Sequence, residues 1–171
     1  MGYTTEFTGH FTISPPLEPE QVRYLQTLSE TRRMRRNEFS VAKLPDAVRK
    51  AVGLPVGQDG QFYVGSTANF GQSQTSDVVD YNEPPRGQPG LRLQWVPSDD
   101  GGSLEWNGSE KFYYYVEWLD YIAANFLIPW GRKLDGIVRY QGEEADDFGE
   151  IRAHSNVIVK VTGERRVGPL Y

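Results

Sequence analysis

The chain has 171 residues, a formal net charge of −5, no cysteine and 13% aromatic residues. A chain of this length buries about 70% of its unfolded surface and fits one domain without staples. The absence of cysteine excludes a disulfide framework, a thiol nucleophile, a zinc ribbon and an iron–sulfur site. The acidic balance removes the whole-protein basic footprint of a duplex-DNA binder.

The N-terminal residues Met1 to Phe7 show no basic segment followed by an apolar one, and Gly2 with Thr5 misses the myristoylation spacing. The most apolar stretch, within Phe112 to Trp130, carries Glu117 and Asp120 and is too polar to span a bilayer. Together with the missing cysteines, these features predict a cytoplasmic protein without a membrane or duplex nucleic acid as partner. Oligomeric state is not encoded in any pattern.

Phe7 to Ile13 alternates and predicts an opening strand that ends at Pro15 and Pro16. Pro19 then sits at the first position of a helix, with Val22, Leu25 and Leu28 at helical spacing, running to about Thr31 and into Arg32, Arg33, Arg35 and Arg36. A short helix follows Pro45, with Val48, Ala51 and Val52 on its apolar side and Gly53 as its stop. Gln58-Asp59-Gly60 is a turn, and Gln61 to Val64 reads as a short strand. Residues 65–77 are a Gly/Ser/Thr/Gln loop and Asp77 to Tyr81 a short extended piece. Asn82 to Gly90 is stiffened by Pro84, Pro85 and Pro89.

Leu91 to Pro97 and Ser103 to Trp106 flank Asp99-Asp100-Gly101-Gly102, the clearest hairpin signal. Asn107 or Ser109 is read as the cap of the major helix, with Glu110 as capping-box partner, and Pro129 as its break. Leu134 to Gly142, Gly149 to His154 and Val157 to Val161 form a strand meander whose first connection is acidic. This order predicts a single α+β domain over residues 1–171, a mostly antiparallel sheet with one long helix and one or two shorter ones on one face.

The long helix carries two stripes. Phe112, Tyr115, Val116, Leu119, Ala123 and Phe126 form the core face. Tyr114, Trp118 and Tyr121 form a second stripe, which either packs under a loop or offers a flat amphipathic surface to a ligand. The cluster Arg32, Arg33, Arg35 and Arg36 is either a solvated helix end or a grip for phosphate or carboxylate. The segment from Tyr81 and Asn82 to Gln94 and Trp95 either seals the sheet or forms a rigid site wall. Glu110 and Lys111 lie between these features. The acidic run Glu143, Glu144, Asp146, Asp147 and Glu150 lacks the alternating ligand spacing of a calcium loop and reads as a solvated hairpin.

Catalytic signals are thin. The only histidines are His10 and His154, and no nucleophile elbow, P-loop, zinc-binding helix or dinucleotide fingerprint is present. Glu105 with Glu110 or Glu117 could serve acid–base chemistry if they converged. No cofactor, metal site or catalytic residue is assigned.

Several segments, taken together, carry a resemblance. They are Phe7-Thr8-Gly9-His10-Phe11, Ser29-Glu30-Thr31-Arg32-Arg33-Met34-Arg35-Arg36, and Val79-Asp80-Tyr81-Asn82-Glu83-Pro84-Pro85. Gly87-Gln88-Pro89-Gly90-Leu91, Gln94-Trp95-Val96-Pro97, Leu104-Glu105-Trp106, Glu110-Lys111-Phe112-Tyr113, Glu117-Trp118-Leu119, Gln141-Gly142-Glu143-Glu144 and Asp146-Asp147 belong with them. They resemble an uncharacterised family of small soluble bacterial and bacteriophage proteins with no assigned activity. Residues 38–57 stand out as an insertion. The resemblance implies a bacterial or phage origin, and with it a viral, anti-defence role.

The residues lead to three functional expectations. The first is a non-catalytic protein that binds, or sequesters, a small anionic aromatic ligand, nucleotide-derived, through Arg32, Arg33, Arg35, Arg36, Tyr81, Asn82, Gln94, Trp95, Glu110, Lys111, Tyr114, Trp118 and Tyr121. The second is a protein-interaction module or inhibitor that uses the same surface. The third is a carboxylate-dependent enzyme.

Overall fold

A computed structural model describes residues 2–65 and 76–163. The predicted loop at 65–77 therefore lies largely outside the described residues. Strand β1 (Glu6–Ser14) opens the chain, and helix α1 (Pro19–Glu30) follows. Pro at its first turn and a reciprocal Glu18–Gln21 capping box start α1, and Val22, Tyr24, Leu25 and Leu28 bury one face.

The chain then extends into β2 (Arg35–Arg36), and two short helices, α2 (Glu38–Val41) and α3 (Ala47–Ala51), follow. Asn37 caps α2 by accepting from the Phe39 and Ser40 amides. A 3₁₀ turn covers Gln58–Gly60, and β3 (Val78–Asp80) pairs antiparallel with β2. The expected strand at Gln61 to Val64 is absent, because these residues follow the 3₁₀ turn as irregular backbone. Phe62, Tyr63 and Val64 are all buried there.

Strands β4 (Trp95–Pro97) and β5 (Ser103–Trp106) make the expected hairpin. Gly101 is required at its turn, with φ 76° and a Cβ position only 2.5 Å from the Leu17 carbonyl oxygen. Helix α4 (Tyr115–Ile122) runs into a π-helical turn, Ala123–Leu127. The helix begins later than its capping signal predicted. Asn107 instead accepts from the Ser109 amide in a local turn, and Phe112 enters the core from the irregular segment before α4. Strands β6 (Lys133–Gln141), β7 (Phe148–His154) and β8 (Val157–Thr162) complete the chain.

The main sheet has six antiparallel strands in the order β4-β5-β1-β6-β7-β8. Its inner face, with Phe7, Phe11, Ile13, Trp95, Leu104, Leu134, Val138 and Ile151, packs with α1 and α4 into one core. Phe7 lies edge-on to Trp95, Trp106, Phe112 and Tyr115, the geometry that ring quadrupoles favour. The architecture is the α+β arrangement expected, with helices on one face of an antiparallel sheet. No helix among the described residues is long and apolar enough to cross a membrane. The acidic β6–β7 connection binds the N-terminal segment: Tyr3 donates to Asp147, and the Thr4 amide donates to Glu143.

Candidate ligand cleft

The segment after α1 is pinned along the Pro-braced connection. The Arg33 amide donates to the Leu91 carbonyl, Arg35 to Glu83 and Asn37 to Asp77. This extended path, unlike the helical continuation expected, sends successive arginines in different directions.

Arg33 and Arg36 turn inward and are 3% exposed. The Arg33 guanidinium donates to the carbonyls of Gln61 and Tyr63 at 2.9 and 2.8 Å, to Gln88 at 3.3 Å and to the Thr31 hydroxyl. Burial pushes its pKa down, yet an arginine keeps its charge. Arg36 forms a buried ion pair with Asp77. Arg35 is half-buried, 3.6 Å from Asp59, whose carboxylate is gripped by Arg86 at 2.9 and 3.0 Å. The Arg86 hydrogen bonds hold the Asp59 pKa down at about 2. The four arginines are thus not one surface. Two build the interior, because extended backbone turns them inward onto enclosed acceptors, the carbonyls of residues 61 and 63 for Arg33 and the Asp77 carboxylate for Arg36.

Arg32 turns the other way. Its Nε donates to the Tyr81 carbonyl at 3.1 Å, and its guanidinium lies 4.1 Å from the centre of the Tyr81 ring. It enters a cleft of about 570 Å³ lined by Asn82, Glu83, Pro84, Pro89 to Arg92, Gln94, Glu110, Lys111, Tyr113 and Tyr114. That volume lies within the range of small-molecule sites. Arg92 reaches no acceptor within hydrogen-bonding distance among the described residues. Partial burial first, then the neighbouring Arg32 charge, pushes its guanidinium below its ordinary pKa. Arg92 escaped the sequence reading, although it shares strand parity with Gln94 while Leu93 and Trp95 face the core.

The far wall is built of backbone that non-glycine residues seldom adopt. Lys111 and Tyr114 have φ near 60°. Each such left-handed residue costs about 1–2 kcal/mol, and strained backbone of this kind clusters at binding sites. Gln94 anchors the wall, donating to the Glu110 carbonyl at 2.9 Å and accepting from the Trp106 indole at 3.1 Å. Tyr113 and Tyr114 stay exposed at the rim.

Of the residues expected to converge, the cleft unites Arg32, Asn82, Gln94, Glu110, Lys111 and Tyr114, with Tyr81 beneath Arg32. It excludes the others. Trp95 and Trp118 are 0% exposed and belong to the core, which corrects their expected role as stacking surfaces. Trp95 donates to the Tyr115 carbonyl at 2.8 Å. Tyr121 is also buried, its hydroxyl donating to Gln61 at 2.7 Å and accepting from Gln88 at 3.0 Å, and burial raises its pKa to about 12. The second stripe of the helix is therefore a covered face, and only Tyr114, outside α4, is free to stack. Glu105 and Glu117 are exposed and do not line the cleft with Glu110. Among the described residues no His/Asp/Glu cluster is arranged to hold a metal ion.

Comparison of the chain with protein-family models, curated proteins and solved structures finds no match.

Proposed function

We propose that the protein binds a small, planar, anionic ligand of the nucleotide class in the Arg32–Tyr114 cleft and holds it without chemical change. The observation that carries this reading is the pairing, in one cleft, of two adjacent guanidiniums with exposed tyrosine rings. Arg32 and Arg92 suit a phosphate, because a guanidinium presents a planar fork of donors to oxyanions. Lys111 adds a third cation, and Tyr113 and Tyr114 supply faces against which a base can stack. Asn82 adds an amide group that suits a base edge. The lining has carboxylates in Glu83 and Glu110 but neither histidine nor serine among the described residues, which favours retention over turnover.

Isothermal titration with the four ribonucleoside 5′-monophosphates, the free nucleosides and inorganic phosphate tests the proposal. At least one monophosphate binds, and more tightly than its nucleoside or phosphate alone. Arg92→Ala weakens it about tenfold, the loss expected for one charge-assisted contact. The difference between variant and wild type shrinks at high salt, since exposed charge is screened. Absence of binding to every monophosphate, or equal binding by Arg92→Ala, rejects it.

A further inference from the structure

Trp118 is fully buried, and its indole N–H has no hydrogen-bond partner among the described residues. The other core tryptophan, Trp95, satisfies the same group with a backbone carbonyl, and Trp106 uses Gln94 and the Ser109 carbonyl. A buried donor left unpaired costs about 1–3 kcal/mol, so this one calls for a reason.

Its position supplies one. Trp118 Nε1 lies behind Gly90, a residue of the cleft wall. A Cβ at Gly90 would sit 3.5 Å from that nitrogen and 3.2 Å from Cδ2 of Tyr114. The missing side chain thus leaves a gap bounded by the donor and the Tyr114 ring. Tyr114, 59% exposed, lines the cleft as well as bounding this gap. Gly90 has no left-handed φ, so its conformation does not demand glycine. The space does.

Resting on the cleft as a ligand site, we propose that the Trp118 indole N–H is a concealed ligand donor. The Tyr114 ring swings away from Gly90 when the ligand enters, and a ring carbonyl or ring nitrogen of the ligand accepts from Trp118. The class of ligand is thereby narrowed to planar heterocycles with an acceptor on the edge remote from the anionic group, as in a nucleobase. The displaced Tyr114 ring then lies against the heterocycle's face.

The test uses ¹⁵N-labelled full-length protein titrated with the four ribonucleoside 5′-monophosphates, following the indole N–H signals, with the Trp118 signal identified in Trp118→Phe. The expected result is a downfield shift and slower solvent exchange of the Trp118 signal alone among the core indoles. Trp118→Phe, which keeps an aromatic ring and deletes the donor, binds about 3–10-fold more weakly. Gly90→Ala, which fills the gap, loses at least as much affinity while its melting temperature stays near wild type. A monophosphate that binds while the Trp118 signal stays still and Gly90→Ala binds normally overturns this inference and leaves the cleft reading standing. No binding by any monophosphate overturns both. Should Trp118→Phe fail to fold, the wild-type indole spectrum and Gly90→Ala decide.

Discussion

The sheet with its two main helices and the lateral layer formed by residues 31–65 and 76–90 are held together by different physics. In the first region, the core runs through Phe11, Trp95, Trp118, Leu119 and Phe126, all fully buried hydrophobic side chains. In the second, Phe62 and Val64 join that core, and the separate apolar cluster is small, Val41 and Tyr63 with Leu44 and Val56 beside them. There the interior is built on charge: Arg33 on four acceptors, Arg36 on Asp77, and Arg49 on Asp46 at 2.7 Å. The cleft lies where the lateral layer meets the segment leading into α4: the layer contributes Arg32, the stretch before β4 contributes Arg92, and the segment before α4 contributes Lys111 and the Tyr113 and Tyr114 rings. The contrast teaches that arginine density alone does not mark a binding surface. What matters is whether carbonyls and carboxylates enclose the guanidinium, as at Arg33, or none reaches it, as at Arg92.

The largest effect should come from the aromatic region. Trp95→Ala removes a fully buried ring and its hydrogen bond, and a loss of about 3–5 kcal/mol is expected in chemical denaturation. A loss below about 1 kcal/mol would mean that the core is not where the contrast puts it.

The charged region should respond next. Arg33→Ala strands several buried acceptors and should cost about 3 kcal/mol. That loss should persist at high salt, because the buried network is little screened. Arg92→Ala is the matched control in the cleft and should change stability by less than about 0.5 kcal/mol. Equal losses for the two arginines would dissolve the distinction between them.

A smaller effect tests the same region through pH. Asp59 has a folded pKa of about 2, below its unfolded value, so its contribution is complete above about pH 4. It is lost as pH falls from there through 2. Because Arg86 is well exposed, the contribution is discounted to about 1 kcal/mol. Denaturation of Asp59→Asn at pH 7 and pH 2.5 should show the variant less stable than wild type at pH 7, with the gap narrowing at pH 2.5.

The smallest effect concerns the strained wall. Lys111→Gly relieves a left-handed conformation at some entropic cost, so stability should be unchanged or rise by up to about 1 kcal/mol. Monophosphate binding should weaken in the same variant, since a cleft cation is gone. A clear loss of stability would show that Lys111 supports the fold and not the cleft.

Much of the fold was legible in the residues. Alternation marked β1, proline at the first turn marked α1, Asp99 to Gly102 marked the hairpin, and the final meander was read as three strands. Each signal is local, and each element obeys it. The candidate site was legible in part, because it depends on backbone that local signals misreport. Asn107 and Glu110 mimic a capping box, yet the chain between them and α4 passes through left-handed Lys111 and Tyr114. The run from Arg32 to Arg36 looks like one basic patch at helical spacing, and extended backbone splits it between interior and cleft. Trp118 and Tyr121 share a stripe with Tyr114 in sequence, but both are buried, Tyr121 against Gln61 and Gln88, while Tyr114 precedes α4 and is exposed. These partners lie 30 or more residues away in sequence, beyond the reach of periodicity.

The central claim is that the cleft, and not another basic site, takes the anionic ligand. A crystal structure of the protein grown with the tightest-binding ribonucleoside 5′-monophosphate tests it most directly. The account predicts the phosphate between the Arg32 and Arg92 guanidiniums and the base against Tyr114. A monophosphate seated instead at Arg35 and Arg86, with Arg92 untouched, would contradict it.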